Sequence, residues 1–566
     1  MTTPAPAARP DASETFRETF RRLHGRAPRI LHIGNIANNA YLNAKLLNEA
    51  GYDCDVICAD YYHIMSCPEW EDADFAGDIG DQFRPDWTRV DLRGFQRPRW
   101  FAQGPQATCL EYLIATRTGD TGTADRRWHE LGLENRTTGG PSEVDDSAAV
   151  AVLRIRRLFA TMRRYVRMAF QRSDAYELAL AKLSAWEHRG GIPARIGRLL
   201  ILPVVWVTFL PHRLARLVTP PPGRKWTRLY ADTFLDRDDP FPEKDADPYV
   251  SVTPQWRALL ALYDVVVAYA TAGSYCLFAE TPYFAFEHGT IREIPYRPTT
   301  EGRLAALTYR LATHVFVTNF DCLGSAQYLA PGRFTLINHP FDEDHGLSVT
   351  GWEGQRAQLL QELDSDFLVF FPTRQDWVSG TGYADKGNDI FLRAFGALRA
   401  QGHRVGMVCC TWGANVAESR SLLESLGCAR NVTWGPPLPT IQFERMCRAA
   451  HLVVDQFILG AFGGVLFKAI AVGAPILTYL DEAQLSRQFP ECPPVINCRT
   501  EPEVVDALTR LISDTARLAE VGAASRRWMQ TYHGKAKTIR LQTDQFLAVL
   551  RSRTAPAERP APAPDS

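Results

Sequence analysis

Apolar runs alternate with amphipathic segments along two stretches of the chain. From residue 29, RILHIGNIANNAYLNAKLLNEAGYDCDVICAD predicts a strand, a loop, a helix and a second strand. Further buried strands are predicted at YDVVVAY, YFAFEHG, HVFVTNF and FTLIN, which begin at Tyr263, Tyr283, His314 and Phe334. The same rhythm returns after residue 366. The pattern therefore predicts an α/β protein with two units built on parallel sheets.

Residues 455–479, DQFILGAFGGVLFKAIAVGAPILTY, are the most informative stretch. An apolar strand from His451 leads into a glycine-containing loop, a short helix, and a second buried strand from Ala474. A helix that begins just after glycines presents free backbone N–H groups and a positive dipole end to an anion. Short glycine turns also serve plain packing of strand against helix. On local evidence, both interpretations stay open.

This stretch resembles the donor-site segment of GT-B glycosyltransferases, especially the family 4-type retaining group (glycosyl transferases group 1). Their pattern is about E-G-F-G-x-x-x-x-E-A-M-A-x-G-x-P-V. The positions in register here are Phe462, Gly463, Ala469, Ala471, Gly473 and Pro475. Gly460 and Lys468 take the places of the two glutamates. The resemblance implies two Rossmann-like domains facing across a cleft, with a helical insertion in the N-terminal domain.

The resemblance also implies which residues hold the donor. Arg374 and Lys386 match an Arg and a Lys that clamp a nucleotide diphosphate, and two such cations stabilise charge as it leaves. His288 lies in an H-G-x-x-R segment, residues 288–292, that resembles a loop near the donor sugar. These three are the predicted catalytic residues. The other predicted donor-binding residues are Arg292, Gly387, Gly413, Gly460, Phe462, Gly463, Gly464 and Lys468.

The first predicted βα loop is the candidate acceptor side. Its residues Gly34, Asn35, Asn38 and Asn39 do not form a GxGxxG motif, which disfavours a dinucleotide site. Asparagine amides can bond to sugar hydroxyls, or they can simply satisfy a turn. Residues 60–75, DYYHIMSCPEWEDADF, also have two interpretations: an aromatic platform for sugar rings, or a solvated acidic loop, which we favour.

Composition bounds the organisation of the chain. A chain of 566 residues is too long for a single hydrophobic core, so two or more domains are expected. A net charge of −1 gives no electrostatic field that would recruit nucleic acid. Twelve scattered cysteines without a CxxC pair predict reduced thiols in a cytoplasmic protein. The predicted divisions are a tail (1–27), an N-terminal domain (28–345), a C-terminal domain (346–531), a crossover helix (532–553) and a second tail (554–566).

The α/β rhythm fails between about residues 103 and 247, which predicts an insertion. Residues 154–172 contain seven arginines and no acid, and residues 199–211, LLILPVVWVTFLP, are too short to span a bilayer. A basic amphipathic helix beside a short apolar run suits an anionic membrane surface. The alternative is a buried hairpin with solvated arginines. Contact through residues 154–216 would make the protein peripheral on the inner membrane face.

Lys468 leaves three functions open, because an ammonium cannot accept hydrogen bonds from ribose hydroxyls as a glutamate does. It could instead contact a phosphate or pair with Asp455, Asp481 or Glu482. The first interpretation is a glycosyltransferase, retaining and metal-independent by resemblance, which moves a sugar from a nucleotide-sugar to a glycan or lipid-linked acceptor in cell-surface polysaccharide or glycolipid assembly. The others are a non-catalytic GT-B scaffold and, ranked last, a nucleotide-sugar epimerase. No metal site and no cofactor besides the nucleotide-sugar substrate are predicted.

Overall fold

The computed structural model describes residues 14–136, 223–378 and 385–554. Among these residues, the first part of the chain forms a parallel sheet in the order β5-β2-β1-β6-β7-β8-β9 and a small antiparallel hairpin, β3-β4. The strands are β1 Arg29–Ile33, β2 Asp53–Ala59, β3 Gly80–Asp81, β4 Arg84–Pro85, β5 Phe101–Gly104, β6 Val265–Tyr269, β7 Phe284–Phe286, β8 His314–Val317 and β9 Phe334–Leu336.

The second part forms another parallel sheet, in the order β12-β11-β10-β13-β14-β15. Its strands are β10 Phe367–Phe371, β11 Val405–Cys410, β12 Val432–Gly435, β13 Leu452–Val454, β14 Ile476–Thr478 and β15 Ile496–Asn497. All five residues of β6 and of β10 are buried, because helices cover both faces of each sheet. This is why these strands read as continuous apolar runs rather than as alternating ones.

Helices connect the strands and cover both sheets. In the first part they are α1 Phe16–His24, α2 Asn39–Glu49, α3 Pro68–Asp72, α4 Gln106–Thr118, α5 Thr121–Arg136, α6 Arg224–Thr233, α7 Asp247–Leu260, α8 Gly273–Ala279, α9 Thr300–Leu311 and α10 Leu323–Leu329. In the second part they are α11 Trp352–Glu362, α12 Asn388–Ala400, α13 Val416–Ser425, α14 Thr440–Ala449, α15 Gly464–Ala471, α16 Glu482–Leu485, α17 Glu501–Leu511, α18 Thr515–Tyr532 and α19 Lys535–Thr554.

The last helix, α19, returns to the first sheet. Gln542 Nε2 donates to Asn43 Oδ1 of α2 at 2.6 Å. The ring of Phe546 packs against Phe16 and Phe284 at centroid distances of 5.7 and 4.7 Å. This helix therefore ties the C-terminal end of the chain to the N-terminal domain.

A cleft separates the two sheets, and the loops that follow their carboxyl ends face it. Residues after β1, β7, β8 and β9 line one side, and residues after β10, β11 and β13 line the other. Ligands bind at this edge in open α/β sheets. The predicted fold class, two Rossmann-like domains facing across a cleft, is confirmed.

The acidic segment 60–75 is not a solvated loop, so that expectation is wrong. Glu69 and Glu71 are buried, at 5% and 8% exposure. Thr440 Oγ1 of α14 donates to Glu71 Oε2 at 2.9 Å, and Arg445 pairs with Asp74 at 2.7 Å. A buried carboxylate must be paired. Glu69 pairs with Arg97 of its own domain, whereas the partners of Glu71 and Asp74 on α14 belong to the other domain.

His345 completes this contact between the domains. Its Nε2 lies 3.3 Å from Asp72 and its Nδ1 lies 2.8 Å from Glu444 on α14. Asp72 also accepts from Tyr41 and Lys45 at 2.6 and 2.8 Å. We call these groups the interdomain clasp: Tyr41, Lys45, Glu71, Asp72, Asp74, His345, Thr440, Glu444 and Arg445.

The predicted membrane-contact segment, 154–216, lies outside the described residues. Among the residues that the structure does describe, no helix is both long and apolar enough to cross a membrane.

Candidate functional site in the interdomain cleft

Two adjoining cavities of about 300 and 340 Å³ occupy the cleft. The first lies toward the N-terminal domain, and the second lies toward the loops of the second sheet. Their shared walls are Met65, Trp70, Lys386, Gln456, Gly463, Gly464 and Lys468. Their volumes fall at the lower end of the range for small-molecule sites.

The glycine loop forms the floor between the cavities. Helix α15 begins at Gly464, and the residue before it, Gly463, is extended (φ −103°) and makes no side-chain capping hydrogen bond. The first backbone N–H groups of the helix are therefore left for solvent or a ligand. An anion is the ligand that such a helix end favours. Phe462, one of the predicted donor-binding residues, lines the first cavity.

The side chain of Asp455 lies against this loop, next to Gly463. Thr373 Oγ1 donates to Asp455 Oδ1 at 3.0 Å, while Asp455 Oδ2 has no hydrogen-bond partner among the described residues. Burial raises the pKa of Asp455, and the nearby charge of Lys386 opposes this shift. A Cβ atom at Gly463 would lie 2.6 Å from Asp455 Oδ2. The loop can approach the carboxylate this closely because residue 463 has no side chain.

Gly463→Ala is therefore expected to destabilise the protein by about 1–3 kcal/mol, the usual effect of overpacking. Gly464→Ala is the matched control, because a Cβ atom there meets nothing within 4 Å. Urea unfolding of the two variants measures the difference. Equal stabilities would show that Asp455 and the loop are not in close contact.

The two predicted catalytic cations, Arg374 and Lys386, follow β10 in the chain. Lys386 Nζ donates to Gln456 Oε1 at 2.8 Å, and Gln456 Nε2 in turn donates to the carbonyl of Ala461. Arg374 pairs with Asp376 and keeps 36% of its side chain exposed. Burial lowers the pKa of Lys386, Asp455 raises it, and the charge of Arg374 lowers it further. Both cations line the second cavity.

Lys468 is bound to neither Asp455, Asp481 nor Glu482 in the structure. Its Nζ donates to Thr440 Oγ1 at 2.5 Å, and the same hydroxyl donates to Glu71 across the cleft. The ammonium also lies 5.6 Å from the centre of the Phe443 ring. Lys468 thus lines both cavities at the point where the domains meet.

His288 follows β7 and faces the first cavity. Asn39 Nδ2 donates to the carbonyl of Ile36 at 2.9 Å and lies 3.0 Å from His288 Nδ1. Because a carbonyl only accepts, this atom is the amide nitrogen, and His288 Nδ1 accepts from it. Burial, with the charge of Arg292, lowers the pKa of His288 to about 4. The imidazole is therefore neutral, with its proton on Nε2.

Arg292 lines the same cavity and is held by Asp321. Its Nε and a terminal nitrogen lie 2.5 and 3.0 Å from the two carboxylate oxygens. The preceding acid, Glu287, is fully buried, and burial raises its pKa to about 7. Glu287 is absent from both cavity walls. Of the two charged residues near His288, Glu287 and Arg292, only Arg292 lines the cleft.

The asparagines of the first βα loop form hydrogen bonds within the protein. Asn35 Nδ2 donates to Asn38 Oδ1 and to the carbonyl of Ser66, both at 2.9 Å. Asn38 Nδ2 donates to the carbonyl of Cys67 at 3.1 Å. These two amides hold the loop, although Asn38 also lines the first cavity. Asn39 orients His288.

Some predicted site glycines line neither cavity: Gly34, Gly387, Gly413 and Gly460. Gly413 shows why a glycine is needed there. It is left-handed (φ +113°), and a Cβ atom would lie 2.5 Å from the backbone N of Gln375. This glycine lets the loops after β10 and β11 pack together, so it shapes the second cavity from outside.

Two cavity-wall residues, Trp70 and Glu71, were not among the predicted site residues. Both belong to the acidic segment, and Glu71 accepts from Thr440, which begins α14 after a proline-rich loop. The long-range pairing of Glu71 with Thr440 spans 369 positions. The unusual mixture of aromatic and acidic residues at 60–75 was the available signal, since both types also line binding clefts.

Similarity to known proteins is a separate source of information about the chain. No protein-family model matches the chain. D-inositol 3-phosphate glycosyltransferase of Rhodococcus opacus (strain B4) is 28% identical over 175 residues, which are 28% of this chain. The chain spans 39% of the length of that curated relative.

Solved structures with a similar fold have low identity. The Anabaena protein HepE in complex with UDP and glucose is 17% identical, with a TM-score of 0.42 over 52% of this chain and 82% of that one. Sucrose-phosphate synthase from Thermosynechococcus elongatus is 16% identical, with a TM-score of 0.39 over 54% of this chain and 80% of that one.

Proposed function

We propose that the protein is a glycosyltransferase that binds a nucleotide-sugar in the cleft and transfers the sugar to a glycan or lipid-linked acceptor. Its place would be the assembly of a cell-surface polysaccharide or glycolipid. The partial likeness to a curated glycosyltransferase supports the reaction class. The donor would lie against the second sheet, and the acceptor would approach from the first.

One observation carries the proposal. Arg374 and Lys386 line one cavity together with the uncapped start of α15 at Gly463 and Gly464. Two cations and a helix N-terminus together form a site for a group with two or more negative charges. A nucleoside diphosphate has that charge, and its departure from a sugar concentrates charge on the same oxygens. The site would stabilise this leaving group.

His288 would act at the sugar. Its neutral ring carries the proton on Nε2, among the described residues no protein partner takes that proton, and the ring lines the cavity next to the cations. Nε2–H can donate to a hydroxyl of the transferred sugar and so hold the sugar in position as the nucleotide departs. Retention of the anomeric configuration and transfer without a metal belong to the proposal by resemblance.

His288→Ala is expected to lower kcat about 100-fold, the usual loss for one removed donor in such a site. The Kd for the free nucleotide should stay unchanged, because the cations and α15 remain. The test is nucleotide release from UDP-, GDP-, ADP- and CMP-sugars in the presence of glycan and lipid-linked acceptors. His129→Ala, at an exposed position of α5, is the matched control. Turnover in His288→Ala equal to that of the control would contradict the role of this residue.

A non-catalytic nucleotide-binding scaffold is the second candidate, and Lys468 is the observation that favours it. Its hydrogen bond to Thr440, which also binds Glu71, links the two domains where a transferase must open and close. Such a protein would bind a nucleotide-sugar and release no product. Binding without turnover for every donor in the panel above would select this function over the first.

The proposal places the protein in the cytoplasm, at the inner membrane face. Its twelve cysteines are unpaired thiols, and residues 154–172 have the arginine content of a surface-binding helix. Sedimentation with vesicles containing phosphatidylserine, but not with neutral vesicles, is the expected result.

A further inference from the structure

A further cavity, larger than either cavity in the cleft, lies outside it. Its volume is about 710 Å³, and it lies in the N-terminal domain between residues 87–103 and helix α5. Its aromatic wall consists of Trp87, Phe95, Phe101 and Trp128. Its polar wall consists of Glu69, Thr88, Gln96, Arg97, Arg99 and Gln103. We call it the α5 cavity.

Arg97 is the fixed polar group of the α5 cavity. Its Nε and one terminal nitrogen donate to the two oxygens of Glu69 at 2.9 and 2.8 Å. The guanidinium carbon lies 5.8 Å from the centre of the Phe101 ring. The other terminal nitrogen is buried without a partner among the described residues. A buried donor without an acceptor is costly, and a ligand oxygen that reached this nitrogen past the cavity wall would satisfy it.

The charges of this wall are balanced. Arg97 is neutralised by Glu69, with side chains only 12% and 7% exposed. Arg99 pairs with Asp125 at 2.5 Å. A wall without net charge offers no attraction to an ionic ligand, whereas aromatic faces and hydrogen-bonding groups suit a neutral ring with many hydroxyls. The chemistry favours a neutral saccharide.

Helix α3 places the α5 cavity next to the cleft. Glu69 of this helix lines the α5 cavity, while Trp70 and Glu71 line the cleft. The two sites therefore lie on opposite sides of one short helix, a separation of about 10 Å. A saccharide chain of a few units is long enough to reach from one to the other.

We propose that the α5 cavity binds a neutral saccharide unit of the acceptor glycan, away from the unit that receives the sugar. This inference rests on the proposed transferase function and identifies its acceptor as an oligosaccharide rather than a single sugar. Trp87 and Phe95 provide faces for the ring, and the unpartnered nitrogen of Arg97 donates to a hydroxyl.

Gly132→Leu tests the inference without removing any contact. Gly132 lines the α5 cavity on α5, and a Cβ atom there meets nothing within 4 Å. Leucine is also a better helix former than glycine, so the variant is expected to fold while its side chain fills the site. Gly122→Leu is the matched control, because it lies on the same helix and outside the cavity wall.

The measurement is quenching of tryptophan fluorescence by maltohexaose, cellohexaose and chitohexaose, since Trp87 and Trp128 lie in the wall. We expect saturable quenching by at least one probe, at least tenfold weaker binding in Gly132→Leu, and unchanged binding in Gly122→Leu. Absence of quenching by all three probes, or equal binding in both variants, would overturn the inference. Nucleotide binding measured on the same variants separates this outcome from failure of the proposed function, since it should be unchanged in both.

Discussion

Alanine at both Arg374 and Lys386 is expected to weaken binding of a nucleoside diphosphate at least about 100-fold, because each charge-assisted hydrogen bond contributes about 1.5–3 kcal/mol. Both side chains line the cavity at the start of α15. Isothermal titration of the double variant with the nucleotide that binds the wild type measures the loss. Each single variant should lie between the two.

Arg393→Ala is the control for this pair. Arg393 lies on α12, just after the same loop, and its only ion pair in the described structure is a long contact of 3.8 Å with Asp389. It does not line either cavity. Its removal should leave the Kd unchanged. A double variant that binds as tightly as this control would show that the diphosphate does not lie on Arg374 and Lys386.

His345→Ala is expected to cost about 3–5 kcal/mol of stability, because it leaves a buried charge without its partner. Glu444 has a side chain only 1% exposed, and one of its oxygens has no partner among the described residues even when His345 is present. Asp72 keeps Tyr41 and Lys45 after the substitution. The unpaired Glu444 therefore dominates the loss, and urea unfolding measures it.

The contribution of His345 also depends on pH. Burial alone would lower the pKa of His345, but its hydrogen bonds with Asp72 and Glu444 and their charges raise it to about 10. An unfolded histidine has a pKa of about 6.5. A raised pKa in the folded state means that the stabilisation is fully present below pH 6.5 and is lost as the pH rises through 10. The difference in stability between wild type and His345→Ala should shrink over that window.

Arg404→Ala provides the comparison, because it breaks an exposed pair. Arg404 meets Asp364 and Asp366 with more than half of each side chain exposed. Such pairs contribute about 0–1 kcal/mol. If His345→Ala were as mild as Arg404→Ala, the clasp would not hold the domains together.

The parallel sheets were predictable because their strands are apolar throughout. Both β6 and β10 are buried on two faces, which is what apolar runs between amphipathic helices indicate. The glycine loop before α15 was predictable for a related reason: glycines between a strand and a helix mark a tight turn. The position of this loop at the cleft followed from the rule that ligands lie at the carboxyl ends of strands.

The contacts between domains were not predictable, because they join residues far apart in sequence. An acidic run such as that at 60–75 is normally solvated, and the approach of α14, with Thr440 bonded to Glu71, makes Glu71 an interior group. The partner of Lys468 was missed for the same reason. Thr440 lies 28 positions earlier, on a helix whose packing the sequence does not encode locally.

The roles of individual glycines could also not be predicted from the sequence. Gly463 and Gly413 are both in glycine-bearing loops, yet the first lines the cleft and the second packs behind it. The difference depends on a few ångströms of backbone position. Side-chain type alone carries no such information.

The most direct measurement of the central claim is a thermal-shift panel with UDP, GDP, ADP and CMP on the wild type and on Arg374→Ala. A ligand at about 100 times its Kd stabilises the folded protein by about 2.7 kcal/mol, which is easily seen as a raised Tm. The account predicts that one nucleotide raises the Tm and that the rise is lost or strongly reduced in the variant. No rise with any nucleotide, or an equal rise in both proteins, would contradict a donor site at the start of α15.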